Sequence, residues 1–384
     1  MNILGLQCGY NGSVTVVNNG NIIGFAKTGN KMERGITKKA IKDALDSAEL
    51  KLKDIDLASV VNWFSDRYTD GTECWDKTEE KFSITKENGI EYSMEDYITF
   101  YRNNSMVAQG TYTLNIDNQV VKCMVVDHLF AHCAYAYLTS PFTECATVCL
   151  DTIDNFGANN CIYWMQNEDK AFRLWRRDQA FGVINLYTGF TDFLGMHPAI
   201  ENFDALRNLS KEGRSELTNL EEWTWPNNTQ MGNIFHGDQW PALMALNGIA
   251  NIPEKAGYYP PLKGEGEVDD AWLDKNDKEM DEKRASIAAG VMTIVEDSLK
   301  NYIEKIGVFG GNIAIGGKVS MFTELIQKLN NERTYFTQPH NDEELSAGAA
   351  LFISDQLMKT KKGEVISSTK PKIQSKEIDY GQGI

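Results

Sequence analysis

Apolar and polar positions alternate from the first residues onward. NILGLQCG (2–9), GSVTVVNNG (12–20) and NIIGFAKTG (21–29) each read as a strand, and Asn18-Asn19-Gly20 supplies the positive-φ residues of a tight hairpin. Between Lys38 and Leu50 the period lengthens, and Ala40, Ile41, Ala44, Leu45 and Ala48 share a helical face. LASVVNWFS (57–65) returns to a strand. From Asp66 to Gln119 charged and aromatic residues mix without a period, and no element is assigned. VKCMVVD (121–127) is a strand that runs directly into DHLFAHCAYAYLTSPF (127–142), a helical stretch.

The same opening then recurs. ECATVCLDTIDNFG, GANNCIYWMQNED and KAFRLWRRD again read as strand, turn, strand, hairpin, strand. INLYTGFTDFLG has helical spacing, and FDALRNLSKEG predicts a helix ending at Gly213. Residues 214–280, rich in Trp, Asn, Gly, Pro and acid, predict an irregular insertion over a cleft or an acceptor surface. A long helix is expected from Glu282 to Ile306, with Ile287, Val291, Ile294, Leu299 and Ile303 on or near one face. NIAIGG is a buried strand before a helix near Val319, TYFTQP is another strand, and EELSAGAALFISDQL is the next helix.

Two openings of three strands, each followed by alternating helices and strands, suggest the fold of actin, sugar kinases and heat-shock ATPases. This is an α/β architecture of duplicated βββαβα halves around a nucleotide cleft. The division expected is a first half over 1–119, with the mixed insertion at 66–119. A second half over 120–358 carries the histidine stretch and the 214–280 insertion, and a polar tail covers 359–384.

Composition narrows the classes. The chain has 384 residues, 42% hydrophobic and 24% charged, enough for a sizeable core. No apolar run is long enough to cross a membrane, and the N-terminus has no leader pattern. Seven scattered cysteines without a CxxC pair predict buried free thiols in a reducing cytoplasm. A formal charge of −16 opposes non-specific attachment to nucleic acid, although Trp175-Arg176-Arg177 could belong to a local basic groove or to a solvated strand edge.

Candidate chemistry begins with His128 and His132. At i and i+4 they share a helical face and can chelate a divalent ion just past a strand's carboxyl end. One core and one surface histidine would look the same. Asp151 ends CATVCLD and is the third candidate ligand. Asp342, a natural helix N-cap before Glu343, is the fourth, and His340 is a loop residue. Gly316-Gly317 lets backbone approach a nucleotide, and Gly12 and Ser13 form a compact turn near which a phosphate could lie. An ordinary hairpin needs the same residues.

Together these segments resemble the O-carbamoyltransferases that tailor nodulation factors and antibiotics, relatives of the tRNA threonylcarbamoyl-transfer enzymes. VDHLFAHCAYAYLTSPFTECATVCLDT is similar to that family's pair of histidines, Ser-Pro-Phe and strand ending in Asp. FGVINLYTGFTDFLGMHP, NIAIGG and QPHNDEELSAGAAL resemble its further segments. The resemblance covers most of residues 1–355. It implies that His128, His132, Asp151 and Asp342 bind a divalent metal, commonly Fe2+, with the glycine pair near the adenosine.

The same resemblance implies transfer of a carbamoyl group from carbamoyl-adenylate, made from carbamoyl phosphate and ATP, to an acceptor hydroxyl on a sugar, natural product or hydroxymethylated pyrimidine. Family members carry a YrdC-like domain that makes the adenylate. Here a separate YrdC-like subunit is expected to supply it, or the chain has another role, as a scaffold for an active paralogous subunit. The family's His-Asp before the first serine is replaced by Asn11-Gly12, GNKMERG follows the third strand, and ALRNLSKEG stands where a Lys-x-Met-Gly-Leu-Ala-Pro segment is usual. Asn11 and Asp154 are the candidates for the catalytic position, and the base is either Asp154 or a metal-bound hydroxide. The altered hairpin also keeps open a non-catalytic metal- and nucleotide-binding scaffold. Ser-Pro-Phe after the histidines favours the O-carbamoyl branch over threonylcarbamoyl transfer.

Overall fold

The computed structural model describes residues 1–9, 12–28, 36–62, 82–90, 92–93, 95–96, 106–108, 112–116, 119–151, 160–165, 172–178, 184, 187, 205–211, 311–337 and 343–362, with further helical positions between 285 and 306. It divides into two compact units. The first comprises Met1–Thr147, Met165–Phe172 and His340–Ile384, and the second Val148–Trp164 and Arg173–Pro339.

In the first unit, strands β1 (Asn2–Gln7), β2 (Ser13–Asn18) and β3 (Asn21–Lys27) form the expected meander. Asn19 (φ 47°) and Gly20 (φ 82°) turn the β2–β3 hairpin with both central residues left-handed. Beside β1 lies parallel β4 (Leu57–Val61), then parallel β7 (Gln119–Val125). The stretch without a clear period contributes β5 (Phe82–Lys86) and β6 (Tyr112–Ile116), an antiparallel pair that extends the sheet. The order is β3-β2-β1-β4-β7-β6-β5.

Consecutive residues of β1 and β2 are buried because helices cover both faces. Helix α1 (Lys38–Ser47), capped by Thr37 Oγ1, lies against Gly24, where a Cβ would meet Ala44 O at 2.3 Å. Helix α5 (Glu343–Lys362) lies against Gly5, where a Cβ would meet Ser346 O at 2.1 Å. Gly5 and Gly24 point to opposite faces, since Gly5 pairs with Thr15 and Gly24 with Val16. Helix α2 (His128–Thr139) packs on α5: Phe130 and Phe352 meet edge to face at 4.8 Å, and Gly348 abuts the Ala131 carbonyl. Nearly every residue of α2 is buried, which suits its apolar composition all round. The α5 helix runs to Lys362, past the expected start of the polar tail at Lys359.

The second unit's sheet has the order β10-β9-β8-β11-β12, built from β8 (Cys145–Leu150), β9 (Asn160–Met165), β10 (Phe172–Asp178), β11 (Ile313–Gly316) and β12 (Thr334–Phe336). Trp175-Arg176-Arg177 therefore lies on the edge strand β10. Helix α3 (Ala205–Ser210) falls inside FDALRNLSKEG. The helix expected near Val319 is preceded by a 3-10 turn, Lys318–Met321, and α4 proper spans Thr323–Leu329. Between 285 and 306 the buried positions Ala285, Ala288, Met292, Val295 and Leu299 repeat every three or four residues, with Ile306 two turns further on, as a helix face requires. Ile303 is only half-buried, and Ile287, Val291 and Ile294 lie outside the described residues.

The first three strands of each unit sit in the order 3-2-1 with two further strands following the first, and the first unit adds the β6-β5 pair beyond these, so one five-stranded order occurs twice. That is the actin-like α/β fold. No helix among the described residues is long and apolar enough to cross a membrane.

Candidate functional site

Each unit gathers polar residues at the carboxyl ends of neighbouring strands, where α/β sheets collect ligands. In the first unit three adjacent parallel strands contribute. Gln7 ends β1, Asn62 follows β4, and Asp127-His128 follow β7. Asp127 caps α2: its carboxylate accepts from Phe130 N at 2.8 Å while fully buried, so the helix starts at the expected residue.

His128 and His132 project from consecutive turns of α2, their ring centroids 5.1 Å apart. Both rings are held at Nδ1. The Asn62 amide meets His128 Nδ1, with Oδ1 at 3.1 Å and Nδ2 at 2.8 Å, and its Nδ2 also donates to Gln7 Oε1 at 3.1 Å. Asn62 adopts φ 58°, a left-handed conformation that asparagine tolerates better than most residues, and this ends β4 beside the histidine. His132 Nδ1 lies 3.0 Å from Glu344 Oε2 in the first turn of α5, with both side chains at 2% exposure or less. A partner on Nδ1 that accepts its proton leaves the lone pair on Nε2, the usual arrangement of a metal-binding imidazole. These two rings therefore fit a metal.

The turn after α2 is tied down by Ser-Pro-Phe. Ser140 Oγ donates to Tyr137 O at 2.8 Å, Phe142 N donates to Ser140 Oγ at 3.3 Å, and Tyr137 OH donates to Thr143 O at 3.0 Å. The chain enters β8 from there and passes into the second unit, where Asp151 follows the strand at 1% exposure.

In the second unit Asp151 meets the glycine pair's neighbourhood. Gly317 has φ 89°, and a Cβ there would meet Leu150 O at 2.6 Å, so only glycine brings the β11 end this close to the β8 end. Lys318 Nζ then lies 3.9 Å from Asp151 Oδ1.

Within each unit the structure sets sequence-predicted residues side by side. His128 pairs with His132, and Asp151 lies beside Gly316-Gly317. Gly12 accepts from Thr28 N at 2.8 Å, and Ser13 is fully buried, its hydroxyl sharing a hydrogen bond with Ser346 Oγ at 2.9 Å. Asn11, Asp154 and Asp342 lie outside the described residues. Sequence reasoning missed Gln7, Asn62, Glu344 and Lys318. An asparagine ending a strand and a glutamate opening a helix have ordinary local explanations. Only Lys318, directly after the glycine pair, carried a visible signal.

A model of the carbamoyltransferase N-terminus matches residues 2–237, more than half of the chain. No curated protein matches it. Among solved structures the chain is similar to the activator of the 2-hydroxyisocaproyl-CoA dehydratase from Clostridium difficile with bound ADPNP, at 15% identity over 96% of this chain and 100% of that chain, with a TM-score of 0.43. It is similar to component A of the Acidaminococcus fermentans (R)-2-hydroxyglutaryl-CoA dehydratase at 10% identity over 93% and 99%, with a TM-score of 0.46. A ROK family glucokinase from Streptomyces griseus in complex with glucose and AMPPNP matches at 13% identity over 91% and 99%, with a TM-score of 0.35.

Proposed function

We propose that this chain, which belongs to the carbamoyltransferase family, moves a carbamoyl group from carbamoyl-adenylate to an acceptor hydroxyl with the help of a divalent metal. The supporting observation is the pair His128 and His132, both held at Nδ1 on a buried helix that starts at strand carboxyl ends. His128, His132, Asp151 and Asp342 are the ligands in this reading, two imidazoles and two carboxylates, a set that suits Fe2+. When bound, such an ion polarises the mixed anhydride as a Lewis acid.

The protein's own residues then have defined tasks. The acceptor oxygen attacks the carbamoyl carbon, the bond from that carbon to the phosphate oxygen breaks, and AMP leaves. The acceptor's proton goes to a base, for which Asp154, three residues beyond Asp151, is the reading's choice; Asn11 cannot serve as a base and would only orient the acceptor. Gly316-Gly317 would admit the adenosine, and Gly12 and Ser13 would place backbone near the phosphate. A YrdC-like partner would supply the adenylate. Sugars, natural products and hydroxymethylated pyrimidines are the acceptor classes to test.

The test uses the full chain. Metal content is measured for the native protein and His132→Ala, and preformed carbamoyl-adenylate is offered with each acceptor class. Bound metal that is lost in the variant, and a mass gain of one carbamoyl group on an acceptor, are expected. Metal without any transfer would favour a scaffold for an active partner, and unchanged metal in His132→Ala would sink the ligand assignment.

A further inference from the structure

We infer that Glu344 is a positioning residue for His132: its carboxylate accepts Nδ1–H, selects that tautomer and holds Nε2 ready to donate to a cation. The inference rests on the metal-binding reading of the histidine pair for its purpose, though not for its geometry.

The sequence alone makes Glu344 unremarkable. A glutamate in a helix's first turn is normally solvated and interacts with the helix dipole. Here its side chain is 1% exposed, and burying a carboxylate is costly unless something specific compensates. The compensation comes from His132 Nδ1 at 3.0 Å, a residue 212 positions away on another helix. Both helices are rigidly placed. Gly348, one turn along α5 from Glu344, puts α5 backbone against the Ala131 carbonyl, immediately before His132. The spacing of the two helices at this level is therefore set by backbone contact.

The two imidazoles are held by different chemistry. His128 is met by a neutral amide that can present either end to the ring, so Asn62 does not itself choose a tautomer. An ionised carboxylate only accepts, so Glu344 does choose. A carboxylate behind an imidazole also strengthens the opposite nitrogen as a donor. His132 is accordingly the stronger of the two donors, and Glu344 is the residue that makes it so.

The full chain labelled with 15N-histidine tests this directly. Two-bond nitrogen–proton correlations on the metal-stripped protein, with His132 identified by its absence in His132→Gln, are expected to show the Nδ1–H tautomer. Glu344→Ala should shift it toward Nε2–H. Co2+ titration, followed by its visible absorption, should then give a dissociation constant about 10–100-fold higher in the near-isosteric Glu344→Gln than in the native chain. Asn62→Ala should change it less. Unchanged near-ultraviolet circular dichroism in Glu344→Gln guards against misfolding.

An Nε2–H tautomer in the native chain, or a tautomer indifferent to Glu344→Ala, would overturn the inference. So would Co2+ affinity unaltered by Glu344→Gln. A tautomer that responds to Glu344 in a chain that binds no Co2+ would support the ring-holding role while defeating the metal reading.

Discussion

At the scale of single residues, buried or half-buried charges are informative because each needs a reason. Asp96 provides a clear one away from the site. Burial raises its carboxyl pKa, but hydrogen bonds from Lys86, from Ser93 N and from Ser93 Oγ, together with the Lys86 charge, outweigh that and hold it below the usual range. A depressed folded pKa contributes stability above the unfolded value, near 3.9, that is lost as pH falls through the folded one. Asp96→Asn should therefore flatten the acid limb of a urea-midpoint profile measured between pH 5 and 2. An equally steep limb in the variant would show that Asp96 does not contribute. The histidine pair was legible for a local reason, since spacing and strand-end position are properties of neighbouring letters. Glu344 and Asn62 were not, because their partners lie far along the chain.

Among the elements, α5 does most to organise the first unit, through small residues rather than large ones. Ser346 reaches Ser13 and Thr15 by hydroxyl contacts of 2.9 and 2.7 Å, and Gly5 and Gly348 remove side chains where backbone must pass. A Cβ at Gly348 would lie 2.1 Å from the Ala131 carbonyl oxygen, a backbone atom that cannot swing away. Gly348→Ala should cost about 3 kcal/mol by overpacking, against the gain of about 1 kcal/mol that alanine would bring in an open helix. Chemical denaturation would measure it, and a neutral result would mean that α2 and α5 can separate freely. The hairpin, the buried strands and α5 itself were readable from period and turn residues. The β5–β6 pair was not, because two five-residue strands are separated by 25 residues with no alternation to mark them. Similarly, the 3-10 turn at Lys318–Met321 answers to the close approach at Gly317 rather than to helix propensity.

For the whole molecule, the repeated strand order was visible as repeated openings, while the unit each helix joins was not, since periodicity says nothing about which sheet a helix covers. The thiols extend over both units. Cys8, Cys123, Cys133, Cys145 and Cys149 are all buried, and none of these five described cysteines forms a disulfide. Burial pushes the Cys123 thiol up to about 12. A raised folded pKa contributes stability that is intact below the unfolded value and lost as pH rises toward the folded one. Urea midpoints should thus decline between pH 9 and 12, and the decline should be shallower in Cys123→Ala; parallel curves would refute the assignment.

The path of the chain between the units also governs how the protein is made. Strands β1, β2 and β4 and helix α2 leave the ribosome early, yet the helix that covers them, residues 343–362, follows only after the second unit has been translated. At a usual 5–20 residues per second, roughly 10–40 s separate the two events. Throughout that interval the apolar face around Gly5 and Thr15 has no cover. Completion of the first unit's core consequently waits on the translation of its neighbour.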